Sequence, residues 1–292
     1  MGLRIRTNAT SLNAQGTLGK NNAALKNSME KLSSGYRINK AADDAAGLAI
    51  SSNLEAKIRS MGQAKRNAND GISMVQVAEG SMNEMSNILT RMRELATQSA
   101  SDTISNNERE YTNREYVQLV DEIDRISNTT EFNGIKLLGG EDANGFDELS
   151  IHVGTGDGSE ENTDRISLSL EAMKINAGDV LGLGKEDEIG PQSAGDDFSS
   201  ENAAEKLSVI DDALKTVASS RATLGSKQSR LNSTINNLSV AIENASTSKS
   251  RIKDVDFASE TANMTQNRIL TQAGVSVLGQ ASQLPEMALS LL

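Results

Sequence analysis

The sequence contains little of what enzymes use for chemistry. Its 292 residues include no cysteine, no tryptophan and one histidine, and the aromatic residues are four Phe and three Tyr. The absence of cysteine excludes disulfides and thiolate nucleophiles, and a single histidine excludes a metal site built on two histidines. A large globular core usually holds more aromatic residues, so this composition favours an architecture with a thin core.

The acidic residues form no arrangement typical of a catalytic site. Asp43-Asp44, Glu160-Glu161 and Asp196-Asp197 are adjacent acids in polar surroundings, where carboxylates are usually solvated and no apolar residue is placed to raise a pKa. The lone histidine, His152, falls in an alternating strand pattern, where a surface or cross-strand role is expected. The sequence therefore predicts a protein that is not an enzyme, with no catalytic residues, no metal site and no cofactor.

Charge is distributed unevenly along a chain whose net charge is −11. Residues 1–66 carry eleven Lys and Arg against four Asp and Glu, whereas residues 131–200 carry four against sixteen. A basic arm can bind nucleic acid, but this arm lacks the interleaved aromatic pattern used for base stacking and belongs to an acidic chain. No nucleic-acid partner is predicted. No segment approaches the ~20 consecutive apolar residues of a membrane span, so none is expected.

Two long stretches repeat apolar residues in steps of three and four, which is the spacing of coiled coils. The first stretch, interrupted by a polar residue at Lys65, contains Leu54, Ile58, Met61, Ala68, Ile72, Val75, Ala78, Met82, Met85, Leu89, Met92 and Ala96. The second, with Arg221 and Gln228 at two of its positions, contains Leu207, Ile210, Leu214, Val217, Leu224, Leu231, Ile235, Leu238, Ile242 and Ala245.

These two apolar stripes match in length. At 1.5 Å per residue, helices over residues 54–96 and 207–245 are about 65 Å and 58 Å long. Exposure of either stripe to water is unfavourable, because burying each Leu or Ile is worth roughly 1.5–3 kcal/mol. The sequence therefore predicts a mainly α fold in which two long helices form an antiparallel rod.

Shorter elements are predicted around the two stripes. A helix is expected over residues 12–32, followed by an irregular connector over residues 37–50 that is rich in small side chains. Ser105 and Glu108 have the spacing of a capping box, which predicts the start of a further helix. Asn133-Gly134 favours a turn, because both residues accept positive φ at low cost.

A small β region is predicted in the acidic middle of the chain. Apolar and polar residues alternate over residues 149–153 and 166–170, with a polar, glycine-rich loop between them. Residues 171–200 predict a loop that precedes the returning helix.

The last 40 residues are unusually apolar for a terminus, with Phe257, Leu270 and Val277 among many. In a lone chain only the N-terminal arm is available to cover them. We expect two such amphipathic ends to be ordered by a partner, which makes them a device for polymerisation.

Long strings at both ends resemble bacterial flagellins. The N-terminal strings include LSSGYRINKAADDAAGLAI, RNANDGISMVQVAEG, RMRELATQSA and EIDRISNTTEFNG, and the C-terminal ones include SRIKDVDFASETANMTQNRILTQAGVSVLGQA and LSLL. The resemblance covers residues 1–140 and 200–292, so the chain resembles a short flagellin without extra outer domains. Gly16 departs from the family, which more often has a larger polar residue there, and a helical glycine costs about 0.5–1 kcal/mol against alanine.

The resemblance implies a domain organisation and a function. Residues 1–45 plus 253–292 are expected to form an inner terminal helical domain, a coiled coil on assembly, and residues 46–252 a helical rod with a small β part near 135–200. The implied function is a structural subunit that polymerises into a helical homopolymer, the extracellular flagellar filament used for swimming. Implied partners are other copies of the chain, an export chaperone, the type III export apparatus, hook-associated and cap proteins, and a host Toll-like receptor.

Particular residues follow from these expectations. Apolar faces near six residues are predicted to bury one another between subunits: Leu18, Leu25, Leu32, Leu270, Val277 and Leu284. By resemblance to the family, Arg91, Leu95 and Glu115 match receptor-contact positions, which can equally be subunit contacts in the filament. Two alternatives stay open: a hook-filament junction protein, which shares the terminal design, and a coiled-coil adhesin or soluble ligand with ordered ends.

Overall fold

The computed structural model describes residues 8–139, 148–156, 164–170, 173–178, 180–183, 189–190 and 200–289, without the side chains of 200–202 and 284–289. Five helices occur among these residues, which confirms the predicted mainly α class. They are α1 (Ala9–Ser34), α2 (Ala45–Ser99), α3 (Asn106–Thr129), α4 (Ser200–Lys253) and α5 (Phe257–Leu289).

Two short antiparallel strand pairs complete the described fold. Strands β1 (Glu131–Phe132) and β2 (Ile135–Lys136) pair around Asn133 and Gly134, which have φ values of 52° and 80°. Strands β3 (Glu148–His152) and β4 (Arg165–Ser169) pair with Ile151 opposite Ile166. Both the turn and the second strand pair agree with the sequence pattern, since alternation places Ile151, Ile166 and Leu168 on the buried side.

The chain divides into two compact units. The first comprises Met1–Ile58 and Glu243–Leu292, and the second comprises Arg59–Ile242. Helices α2 and α4 each contribute residues to both units. The terminal helices α1 and α5 belong to the first unit, and α3 and all four strands belong to the second.

Within the second unit, α2 and α4 run antiparallel in one register. Lys65 Nζ donates to Ser239 Oγ at 2.9 Å, Glu79 lies 4.0 Å from Arg221, and Arg93 Nε bonds Asp211 at 2.7 Å. Two of the polar residues that interrupt the stripes, Lys65 and Arg221, thus have partners on the opposite helix. The antiparallel arrangement of the two long stripes is therefore found as predicted.

Helix α3 packs on α2 and widens the core of this unit. Ser105 and Glu108 form the predicted capping box, and Glu108 accepts from the Ser105 backbone amide at 2.7 Å. Tyr116, Val120 and Ile123 of α3 join the buried residues of α2 and α4 in one apolar cluster. Helix α2 also buries residues beyond its predicted stripe, among them Met74, Ile88 and Leu95.

A buried arginine holds the loop between α2 and α3. Arg109 is 7% exposed, and its guanidinium donates to the backbone oxygens of Ser99 and Ser101 and to Asn106 Oδ1, each at 2.9 Å. Residues 189–190 are also held by a side chain of α3, since the Ile189 amide donates to Asn113 Oδ1 at 3.1 Å. The guanidinium thereby replaces the water that these buried carbonyls would otherwise need.

Gly190 fits closely against this network, and we expect Gly190→Ala to lower the free energy of unfolding by about 1–3 kcal/mol. A Cβ at this position would meet the Arg109 backbone, with its carbonyl carbon at 2.9 Å, and Asn113 Cβ at 3.1 Å. The control is Gly225→Ala in α4, where a Cβ meets nothing within 4 Å and helix propensity predicts a gain of up to about 1 kcal/mol. Thermal and urea denaturation of both variants would measure this; equal shifts would contradict the close fit.

One predicted boundary is wrong. Residues 37–50 were expected to be an irregular connector, but α2 begins at Ala45. The Asp44 carboxylate accepts from the Gly47 amide at 2.8 Å and so caps the helix. Ala, Leu and Ile at positions 46, 48, 49 and 50 are good or acceptable helix formers, which explains the early start.

Candidate assembly and recognition surfaces

The two ends of the chain meet as an antiparallel helix pair. Asn8 Nδ2 donates to the Ala281 carbonyl at 2.8 Å, and Leu18 lies against Gly274, where a Cβ would stand 3.2 Å from Leu18 Cδ1. Asn8 also caps α1, since its Oδ1 accepts from the Ser11 amide at 3.1 Å. Residues more than 250 positions apart in the sequence are thus neighbours in this pair.

The seam of the α1–α5 pair follows heptad spacing but contains many small or polar side chains. On α1 the less exposed positions with this spacing are Ser11, Ala14, Leu18, Asn21, Leu25, Ser28 and Leu32. On α5 they are Met264, Asn267, Thr271, Gly274, Leu278 and Ala281. Among the described residues, the enclosed Thr271 Oγ1 has no hydrogen-bond partner. Because few large apolar groups meet across this seam, the pair gains little from its own burial.

Large apolar side chains remain on the outside of the pair. They are Leu12 and Met29 on α1 and Phe257, Ile269, Leu270, Val275 and Val277 on α5, each between 42% and 64% exposed. Single exposed apolar residues are ordinary, but seven on two adjoining helices mark a surface for association. We call these seven residues, which lie on more than one side of the pair, the outer apolar face.

The residues predicted for polymerisation fall on different sides of the pair. Leu18, Leu25 and Leu32 are partly buried and lie on the seam side of α1, whereas Leu270 and Val277 are exposed at 42% and 53%. Leu284 lies in α5, but its side chain is outside the described residues. That these residues pack between subunits stays a prediction.

Sequence reasoning missed part of the outer apolar face. Leu12 and Met29 were not among the six residues predicted for polymerisation. The helical spacing places Met29 on the same apolar side of the predicted helix as Leu18, Leu25 and Leu32, but the structure leaves it 56% exposed. On α5 two pairs of residues have the seven-residue spacing of a helix seam: Leu270 with Val277, and Asn267 with Gly274. Hydrophobicity alone favours the first set, although the second faces α1.

The positions matched to receptor contacts lie on α2 and α3 of the second unit. Arg91 Nε donates to Glu115 Oε1 at 2.9 Å, and Arg91 Nη1 donates to Glu94 Oε2 at 3.0 Å. These hydrogen bonds, first with Glu94 and then with Glu115, raise the pKa of Arg91. The side chains of Arg91 and Glu115 are about half exposed, so a partner that binds either group competes with this internal ion pair.

Leu95 differs from its two companions. Its side chain is 2% exposed and belongs to the apolar core of the second unit. The structure therefore brings Arg91 and Glu115 together at the surface and leaves Leu95 beneath it. Sequence reasoning missed the ion pair because the two residues lie on separate helices.

Within the described ranges, no helix is both long enough and apolar enough to cross a membrane. Across the same residues, no three His, Asp or Glu side chains are grouped to hold a metal ion.

Comparisons with known proteins agree with this architecture. The model of the bacterial flagellin N-terminal helical region matches residues 5–143, and that of the bacterial flagellin C-terminal helical region matches residues 207–292. The interval between them is short, so the chain lacks the outer domains that lengthen other members.

Relatives match over the whole chain. A flagellin of Halalkalibacterium halodurans is 42% identical over 289 residues, which is 99% of each chain. The flagellar filament 33 kDa core protein of Treponema phagedenis is 39% identical over 294 residues, again 99% of each. A solved flagellar hook-associated protein from Vibrio parahaemolyticus has a TM-score of 0.58 at 15% identity, covering 73% of this chain and all of that one, and it shows a shared fold only. With both terminal family models matched and flagellins aligned from end to end, the chain belongs to the bacterial flagellin family.

Proposed function

We propose that the chain polymerises with copies of itself into the extracellular filament of a bacterial flagellum, and that the outer apolar face drives this assembly. The observation that carries the proposal is the set of seven large, exposed apolar side chains on α1 and α5. A structural protein family is also consistent with a chain that lacks the residues for catalysis. The filament serves swimming motility.

The energetics favour growth at an existing end over association in solution. Burying seven half-exposed apolar side chains is worth roughly 5–10 kcal/mol, taking about 1.5–3 kcal/mol for each fully exposed one. Immobilising a subunit costs an estimated 4–15 kcal/mol, and ordering flexible segments costs more. Two copies that meet in solution cover only part of the face, whereas a filament end offers several neighbours at once.

The terminal and middle parts of the chain then have separate tasks. Residues 1–45 plus 253–292 form the inner layer, where the outer apolar face is covered, and residues 46–252 form the outer rod. The acidic stretch at 131–200 suits an outer position. At larger radius the like charges on neighbouring copies lie farther apart, and salt in the surrounding water screens their repulsion. The Leu and Val residues predicted for polymerisation belong to this inner layer.

Partners follow from the route to the filament. An export chaperone covers the apolar C-terminal helix before assembly, the type III export apparatus transports the chain, and hook-associated and cap proteins flank the filament. The absence of cysteine supports this route, because an exported chain then cannot form mispaired disulfides outside the cell. A free subunit also presents the Arg91–Glu115 pair to a host Toll-like receptor.

Seeded growth tests the function. Short filament fragments added to the purified chain are expected to elongate into long uniform tubes, followed by light scattering and imaged by electron microscopy. Without seeds, growth is expected to show a long lag. A hook-filament junction protein would instead form short, limited assemblies, and a soluble ligand would stay monomeric; either result overturns the filament proposal.

A further inference from the structure

The turn between β1 and β2 consists of Asn133 and Gly134, and this pair of residues has a chemistry of its own. Asparagine is a chemically labile residue. The Gly134 amide nitrogen, after losing its proton, can attack the side-chain carbonyl carbon of Asn133, because glycine has no side chain to obstruct the approach. The new C–N bond closes a succinimide ring, while the side-chain nitrogen takes up a proton and leaves as ammonia. Water then opens the ring at either carbonyl and gives aspartate or isoaspartate.

Both residues of the turn are accessible to this reaction. Asn133 and Gly134 are exposed, and the Asn133 side chain has no hydrogen bond within the described part of the chain. Asn133 also lines an open groove of about 370 Å³ on the second unit, together with residues of α2 and β3. Burial and side-chain hydrogen bonding therefore do not protect the Asn133 amide.

The backbone conformation of the turn opposes the reaction. A two-residue loop with φ of 52° and 80° is a type I′ turn. In such a turn ψ of the first residue is about +30°, which places the Gly134 nitrogen on nearly the opposite side of the Asn133 Cα–C bond from Cβ. Ring closure requires this nitrogen on the same side as Cβ. The turn therefore has to open, with a large rotation about that bond, before the attack can occur.

Contacts at the base of the hairpin keep the turn closed. Phe132 pairs with Ile135, and both side chains pack against the apolar cluster of the second unit. Below them the Leu137 amide donates to the Thr130 carbonyl at 3.0 Å, and Thr130 Oγ1 donates to the Ile126 carbonyl at 2.6 Å. A pair of two-residue strands is too short to be stable alone, so this packing and anchoring decide how often the hairpin opens.

We propose that Asn133 is a deamidation site controlled by the β1–β2 hairpin: the closed turn suppresses ring closure, and the amide is lost only while the hairpin is locally open. Opening requires the loss of the Phe132 and Ile135 contacts, whereas the long helices stay folded. The extent of deamidation then records the time that the hairpin has spent open. This is a property of the folded second unit, so it goes beyond the filament function and can be tested without assembly.

The two products differ in their effect on the hairpin. Aspartate at position 133 keeps the number of backbone atoms and tolerates the left-handed conformation, so the turn can close again. It also adds a negative charge to the groove that Asp70 lines. Isoaspartate adds a carbon to the backbone of a two-residue turn, which prevents the pairing of Phe132 with Ile135. The isoaspartate form is therefore expected to keep the hairpin open.

The first test compares the folded chain with a peptide of the same sequence. The purified chain and a synthetic peptide of residues 126–136 are incubated in the same mildly alkaline buffer. Asparagine, aspartate and isoaspartate at position 133 are then quantified by liquid chromatography and mass spectrometry, after trypsin digestion of the chain. The tryptic peptide 126–136 excludes the other Asn-Gly pair, Asn144-Gly145, which lies outside the described residues.

We expect the folded chain to lose the Asn133 amide at least about tenfold more slowly than the peptide. Equal rates would show that the turn does not suppress ring closure, which overturns the proposal. This comparison needs no variant, so it stays decisive if a variant fails to fold.

The second test weakens the hairpin alone. Ile135→Ala removes apolar packing next to the turn and is expected to raise the rate at Asn133 at least about fivefold. Each rate is divided by that of a synthetic peptide with the same substitution, so that direct effects of sequence cancel. Circular dichroism should show that the helices of the second unit remain.

The matched control is Leu207→Ala, which removes a partly buried side chain from the same apolar cluster. Leu207 lies one turn before Asp211, whose partner Arg93 is about 18 Å along α2 from Ser81, at the base of the hairpin. We expect this variant to change the rate at Asn133 by less than about twofold. An equal rise in both variants would mean that the reaction follows unfolding of the whole unit, and no rise with Ile135→Ala would mean that it needs no opening. Either result overturns the proposal.

Discussion

Filament elongation is expected to stop when Leu270 and Val277 are both replaced by aspartate. Both side chains are exposed in the free subunit and lie on the outer apolar face of α5. Assembly would bury two carboxylates without partners, at a cost of several kcal/mol each after relaxation. Two such penalties are comparable to the whole gain of roughly 5–10 kcal/mol from burying the outer apolar face, so seeds mixed with this variant should not lengthen.

The matched control is Thr265→Asp with Gln272→Asp. These residues have the same seven-residue spacing and are exposed, but 3.6 residues per turn places them about 140° around α5 from Leu270 and Val277, beside Ile269 and Val275. The control therefore tests whether growth depends on the Leu270 and Val277 side of α5 in particular. We expect this control to elongate from seeds at a rate similar to the original chain. Circular dichroism should show that both variants retain the helices of the second unit. Elongation by the Leu270/Val277 variant would show that this side of the outer apolar face does not drive growth. Loss of elongation in both variants would show that growth does not depend on the Leu270 and Val277 side in particular.

Leu95→Ala is expected to lower the free energy of unfolding of the second unit by about 2–5 kcal/mol, since it leaves a cavity in a closed core. Leu95 is 2% exposed and packs in the cluster formed by α2, α3 and α4. For a unit of this size, the change corresponds to a fall in Tm of roughly 10 °C. Thermal and urea denaturation followed by circular dichroism would measure it.

Arg91→Ala is the comparison for Leu95→Ala. Arg91 is about half exposed and pairs with Glu94 and Glu115 in water, where ion pairs contribute little to stability. Its Tm should stay within about 2 °C of the original, while any receptor response should fall because the surface cation is gone. If instead Leu95→Ala melts normally and loses the response, Leu95 contacts the receptor directly and the burial described here is not maintained on binding.

The long helices were predictable because their pattern repeats many times. Over residues 54–96 each apolar position supports the same heptad phase, so a single polar residue such as Lys65 does not obscure it. The capping box at Ser105 and the turn at Asn133-Gly134 were predictable for a different reason. Each depends on the chemistry of a few adjacent residues, which is visible without knowledge of the fold.

Features that join distant segments were not predictable. Arg109 is a charged residue at a helix start, and its burial follows from carbonyls that only the folded loop brings together. The bridge between Tyr36 and Asp254 is formed by backbone hydrogen bonds, which leave no side-chain signature. The face of α5 that meets α1 was ambiguous, because its seam contains Asn267, Thr271 and Gly274 in place of a continuous apolar stripe.

The cross-helix polar contacts between α2 and α4 distinguish their observed alignment from one shifted by a heptad. A heptad seam is degenerate under translation, because sliding one helix by seven residues restores the same sequence of apolar positions. Such a slide would place Arg93 opposite Ala204 or Ala218, and Glu79 opposite Leu214 or Gln228, so both charge pairs are lost. Every copy of the chain therefore adopts the same alignment, and identical copies are the condition under which a lattice of thousands of subunits can stay regular.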